Sequence, residues 1–149
     1  MATLRIYDLH QQVLAIDLSH LLDLLAPRSL KAGWIVSTVK SSESGEDWFE
    51  ATGDSGEQLE VLAQTGSRLS GTALAALAKD TRQVIWGEFV GSYPKTQDGA
   101  WVTIRAIDST FYEVTTSDKA VLEKIKSAFN DVRPANAPWG RAPLETGQG

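Results

Sequence analysis

The chain has 149 residues, 42% of them hydrophobic and 22% charged, enough for one core and the composition of a folded chain rather than a disordered one. Nineteen acidic against fourteen basic residues leave a formal charge of −5, which argues against a general phosphate-binding surface and so against nucleic acid as a partner. The lack of cysteine excludes a disulfide framework, a thiolate metal site and a cysteine nucleophile; no apolar run is long enough to span a membrane, and the first twenty residues lack a signal-peptide pattern, so a cytoplasmic protein without a membrane partner is expected.

In chain order, residues 4–7 alternate as a strand does, and His10-Gln11-Gln12 breaks the alternation. Residues 17–26 carry Leu18, Leu21, Leu22 and Leu25 at helical spacing, with Asp17 or Ser19 as N-cap and Pro27 beyond the end. Residues 33–39 and 47–52 are rich in β-branched and aromatic types and read as a hairpin with a flexible Ser/Gly/Glu tip. Residues 53–56 are a turn. Residues 58–63 suit a third strand or a short helix, and the strand is preferred. Ser70 caps a helix through Leu74, Leu77 and Ala78. Residues 83–93, a loop at 94–99, residues 101–107, a tight turn at 108–110 and residues 111–116 make an antiparallel meander. Ser117 caps a last helix striped by Val121, Leu122, Ile125 and Phe129. The sum is an α+β fold: one domain over residues 1–133, a mostly antiparallel sheet and two to three packed helices. Residues 134–149, with three prolines and three glycines, are expected to be a disordered tail in which Trp139 alone has much to bury.

Charge is unevenly placed. Residues 41–67 hold seven acids (Glu43, Glu46, Asp47, Glu50, Asp54, Glu57, Glu60) and no Lys or Arg, whereas the rest of the chain has a small basic excess. Such a segment, with Trp48 in it, steers a basic partner; it serves equally as a solvated edge that blocks aggregation.

Strand register brings a second set together. If the 94–99 loop sets Phe89 opposite Ile104, Glu88 faces Arg105, and the 108–110 turn places Glu113 on the other side of Arg105. One face then reads Ile85, Phe89, Val102, Ile104, Ala106 and is core. The other carries a Glu88–Arg105–Glu113 ladder framed by Trp86 and Phe111. As an exposed ladder it contributes roughly 0.2–1 kcal/mol per pair. Arg among aromatics also marks an interface, and carboxylates beside an Arg keep low pKa values, which suits binding better than acid catalysis.

His10 and His20 lack metal-ligand spacing, no serine sits in a nucleophile elbow, and residues 53–56 and 87–91 lack the lysine of a phosphate loop. No catalytic residue, metal or cofactor is therefore assigned. The small acidic α+β chain, its acid-only segment and the stretches 84–89 and 101–114 resemble the general type of bacterial immunity proteins. That resemblance implies a non-enzymatic protein that neutralises a toxin, often a basic nuclease, by binding it. The alternative is a ligand-binding or enzymatic domain with Trp86, Glu88, Arg105 and Glu113 as its pocket floor.

Overall fold

The computed structural model describes residues 1–10, 13–14, 17–40, 46–93 and 99–139. From the N-terminus, β1 (Ala2–Ile6) leads through the short pair β2 (Leu9–His10) and β3 (Val13–Leu14) into α1 (Leu18–Leu24) and the single-turn α2 (Arg28–Lys31). There follow β4 (Gly33–Ser37), β5 (Val39–Lys40), β6 (Asp47–Trp48), β7 (Glu50–Gly53), α3 (Gly56–Thr65), β8 (Arg68–Ser70) and α4 (Gly71–Lys79). The chain continues with the long β9 (Thr81–Ser92), β10 (Val102–Ile107), β11 (Phe111–Thr116), α5 (Lys119–Ala128) and β12 (Val132–Ala135). The main sheet is antiparallel in the order β12-β1-β11-β10-β9-β4-β8, with β7 pairing the first half of β9. This is an α+β domain.

The meander follows from its turns and its alternation. Asp108 and Ser109 both lie in the left-handed region, at φ 51° and 57°, and Thr110 N–H donates to the Ile107 carbonyl at 2.8 Å; such mirror-image turns match the twist of a hairpin. Phe89 then faces Ile104, Glu88 faces Arg105, and Arg105 faces Glu113. Gly91 is where the indole of Trp34 crosses the sheet, since a Cβ there would come within 2.8 Å of the ring.

Helices α1, α3, α4 and α5 pack on one face of the sheet. Leu18, Leu21 and Leu22 of α1, Leu59 of α3, Leu74 and Ala78 of α4, and Val121 and Ile125 of α5 join Trp34, Val36, Phe89, Ile104, Tyr112 and Val114 in the main core. The α1 N-terminus is a reciprocal capping box, in which Asp17 accepts from His20 N–H and the His20 Nδ1 accepts from Asp17 N–H. Ser70 caps α4 through Ala73 N–H.

Several expectations are corrected. Residues 58–63 form α3 and not a strand; the amphipathic turn buries Leu59, and Gly66 ends the helix in the left-handed conformation. Pro27 lies beyond the end of α1, as expected, and is also the N-cap of the unexpected α2. The α5 cap is Asp118, which accepts from Ala120 N–H, rather than Ser117. In β9 the pairing with β7 skips Ile85, so that Val84 and not Ile85 enters the core; this bulge shifts the alternation by one residue. The boundary expected at residue 133 falls inside β12, which pairs with β1. Residues 134–139 are thus part of the folded body, while residues 140–149, the hairpin tip at 41–45 and residues 94–98 of the loop lie outside the described residues.

Candidate functional site

The face of the sheet away from the helices is built around a row of charges, one per strand. Reading across the register, Arg5 of β1 faces Glu113 of β11, Glu113 faces Arg105 of β10, and Arg105 faces Glu88 of β9. Arg105 donates from Nε to Glu88 Oε2 at 2.7 Å and from Nη1 to Glu113 Oε1 at 3.1 Å. Arg5 Nε donates to Glu113 Oε2 at 3.1 Å. The backbone N–H of Trp139 also points at both Glu113 oxygens, at 3.1 and 3.0 Å. Two acids and two bases make the row neutral, which allows so many charges to leave water together.

The row is not the open, solvated ladder expected from the sequence. Arg105 is 5% exposed and Glu113 is completely buried, because two non-local segments fold over this face. On one side the β5–β6 arm leaves the sheet after Ser37 and rejoins it at Glu50, and its Val39 packs with Ile107 and Phe111. On the other side Asp8 fixes the chain between α5 and β12, accepting from Asn130 and Asp131 N–H. The chain then runs through β12 to Trp139, whose ring centroid is 6.5 Å from Trp86 and 5.9 Å from Phe111. Arg5 lies over both Phe111 and Trp139, at 5.0 and 5.9 Å from their centroids, so the cation contacts aromatic faces as well as its carboxylate.

Between arm and C-terminal segment a cleft of about 250 Å³ remains, lined by Thr38, Val39, Lys40 and Asp47 on the arm, Trp139 opposite, and Glu88 and Arg105 on the floor. It is open to solvent.

No family model, curated protein or solved structure matches the chain. The site therefore has to be read from its own chemistry. Glu113 is enclosed by two guanidinium groups and a backbone N–H, and among the described residues no three His, Asp or Glu side chains converge as metal ligands. No described helix is long and apolar enough to cross a membrane.

The acid segment lies at the arm and the adjoining edge. Glu46, Asp47, Trp48 and Glu50 are exposed in sequence along β6 and into β7, Trp48 at 40%, and Asp54, Glu57 and Glu60 are exposed on the turn and helix that follow. Glu43 lies outside the described residues. Of the other residues singled out from the sequence, Trp86 and Phe111 sit with Trp139 over the charge row rather than on an open surface, and Trp48 reaches Trp86 at 6.4 Å. Arg5 and Lys40 were not among the residues the sequence pointed to, and Trp139 was singled out only as the one residue with much to bury in a tail otherwise poor in apolar residues.

A second charged cluster ties the helical layer to the meander. Asp118 accepts from Trp101 Nε1 at 2.9 Å and pairs with Arg28, whose guanidinium carbon lies 4.7 Å from a ring centroid of Trp101. Burial raises the Asp118 pKa, but hydrogen bonds from Trp101, Arg28 and Ala120 N–H outweigh it and hold the carboxyl below the ordinary aspartate range. A depressed folded-state pKa gives stability that is present above the unfolded value and lost as pH falls through the folded one. Asp118→Asn, which keeps a capping oxygen, is accordingly expected to cost about 1 kcal/mol at neutral pH. Urea midpoints of parent and variant should converge as the pH drops below the ordinary aspartate range; a constant gap would show that the charge is not responsible.

Proposed function

We propose that this chain is a non-catalytic protein-binding module of the immunity or inhibitor type, which masks a partner with a basic surface through the β5–β6 arm and β7. The observation that carries the reading is Trp48, a large aromatic left 40% exposed between acids on the β5–β6 arm. An aromatic anchor ringed by charge is the composition of an interaction surface, with the charges setting encounter rate and the ring setting residence time. The pairing of Glu88 and Glu113 with Arg residues also favours binding over acid–base chemistry. A small-ligand reading of this face has less support, because the open cleft of about 250 Å³ is below the roughly 300–1,000 Å³ of small-molecule sites.

The test uses a basic protein recovered with this chain from native lysate, followed by binding kinetics on the purified pair. Neutralising Glu46, Asp47 and Glu50 should slow association by about ten-fold and flatten its salt dependence, with folding stability nearly intact. Trp48→Ala should instead speed dissociation. Recovery of no such protein, or association that ignores both salt and the triple substitution, would reduce the acidic arm to a solvated edge.

A further inference from the structure

We propose that the cleft between the β5–β6 arm and the C-terminal segment receives an arginine side chain of the protein partner, which acts as a second cationic partner of Glu88 at its free carboxylate oxygen. The inference rests on the protein-binding reading above and adds the chemistry of one subsite to it.

From β1 to β9 the charge row alternates in sign, whereas at its other end β12 places Arg133, paired with Asp131, opposite Arg5. Arg5, Glu113, Arg105 and Glu88 follow one another on β1, β11, β10 and β9, and the next strand, β4, places the neutral Ser37 opposite Glu88. The two carboxylates are treated differently as a result. Glu113 is enclosed by two guanidinium groups and a backbone N–H. Glu88 has one oxygen on Arg105 Nε, and its other oxygen has no hydrogen-bond partner among the described residues. Its side chain is 21% exposed, and it lines the cleft. The row thus ends on an acceptor that faces a space of side-chain size.

The surroundings select the occupant. Arg105 is already shared by two carboxylates, so its charge is spent within the row, whereas Asp47 on the cleft wall and the neighbouring Glu46 and Glu50 make the approach negative. An anionic side chain would meet that field unfavourably. Trp139 forms the opposite wall, and a guanidinium group stacks on an indole while its planar fork meets a carboxylate, which a compact ammonium group does less well. Among the described residues Lys40 is the one cation on the cleft wall besides Arg105; it is exposed and forms no ion pair among them. It stands as a competitor for the same position, and this gives the proposal a distinctive sign.

The experiment is a titration of the full chain with N-acetyl-arginine amide at constant ionic strength, following the Trp139 indole N–H and the Arg105 Nε–H by NMR. Saturable shifts in the millimolar range, roughly, are expected for a single side chain without its protein, with N-acetyl-glutamate amide giving none. Asp47→Asn, on the exposed arm and outside the charge row, should weaken binding by about three-fold and Glu88→Gln by about five-fold or more. Lys40→Gln should tighten it. Absence of a saturable shift, equal response to the glutamate compound, or parent affinity in both acid variants would overturn the proposal, and Asp47→Asn keeps it decidable if Glu88→Gln fails to fold. A silent titration alongside salt-sensitive binding of a basic protein would remove the cleft inference and leave the module reading. A saturable titration with no basic protein partner would leave the guanidinium site and remove that reading.

Discussion

Glu113→Ala is expected to lower unfolding stability by about 3–5 kcal/mol, the range for breaking a buried ion pair from one side. The carboxylate is completely buried and accepts from Arg5, Arg105 and the Trp139 backbone. Its removal strands Arg105, which is 5% exposed and keeps Glu88 as its one remaining carboxylate. Arg5 lies nearer the surface, with 24% of its side chain exposed, and rehydrates at smaller cost. Arg5→Ala should therefore cost much less than Glu113→Ala, and Glu113→Gln, which keeps an acceptor oxygen but loses the charge, should fall between them. Denaturant midpoints at unchanged slope provide the measurement. A loss below about 1 kcal/mol for Glu113→Ala would mean that the row behaves as solvated surface pairs do, and that the cover provided by the arm and the C-terminal segment opens readily.

The same row shows where sequence reasoning reaches and where it stops. The Glu88–Arg105–Glu113 register was legible because it depends on local quantities: two short connections and a period of two. The α+β class and the amphipathic stripe of α5 were legible for the same reason. Burial of the row was not, since it is imposed by Val39 and Trp139, which lie far along the chain from Arg105 and reach it through tertiary packing. β12 holds Arg133 and Pro134 within four residues and has too little apolar content to announce itself as a strand; it exists because β1 offers an edge and Asp8 fixes its entry. The bulge at Ile85 leaves no mark on hydrophobic alternation other than a phase error, which is why Ile85 was placed in the core in the position that Val84 takes. The missed helix α3 did leave one: Gly66 beyond residues 58–63 is the left-handed residue that ends helices, and weighing it would have decided between strand and helix.

Trp139 gives the second large expected effect, and the sequence alone points the other way. A tail with little to bury can be removed with little consequence, whereas in the folded chain the Trp139 ring packs on Phe111 and Trp86 and its backbone N–H completes the donors around Glu113. Trp139→Ala removes the ring contacts outright and loosens the segment that carries the N–H. Substitution of a fully buried Trp costs about 3–5 kcal/mol; Trp139 is half-buried, so about 2–3 kcal/mol is expected. Truncation after Ala135 should cost at least as much, because it keeps β12 but deletes both ring and N–H, admitting water to a carboxylate that is otherwise sealed. Trp139→Phe should recover a large part of the loss, since a smaller ring still spans the space between Phe111 and Trp86. If the alanine variant and the truncation both melt with the parent, the segment after β12 does not seal the row in solution; Glu113 is then hydrated, and Glu113→Ala should shrink to the cost of a surface pair in the same background. The two substitutions are in this way coupled: in a double-mutant cycle, Glu113→Ala combined with Trp139→Ala should cost less than the sum of the separate losses, because each removes part of what the other depends on.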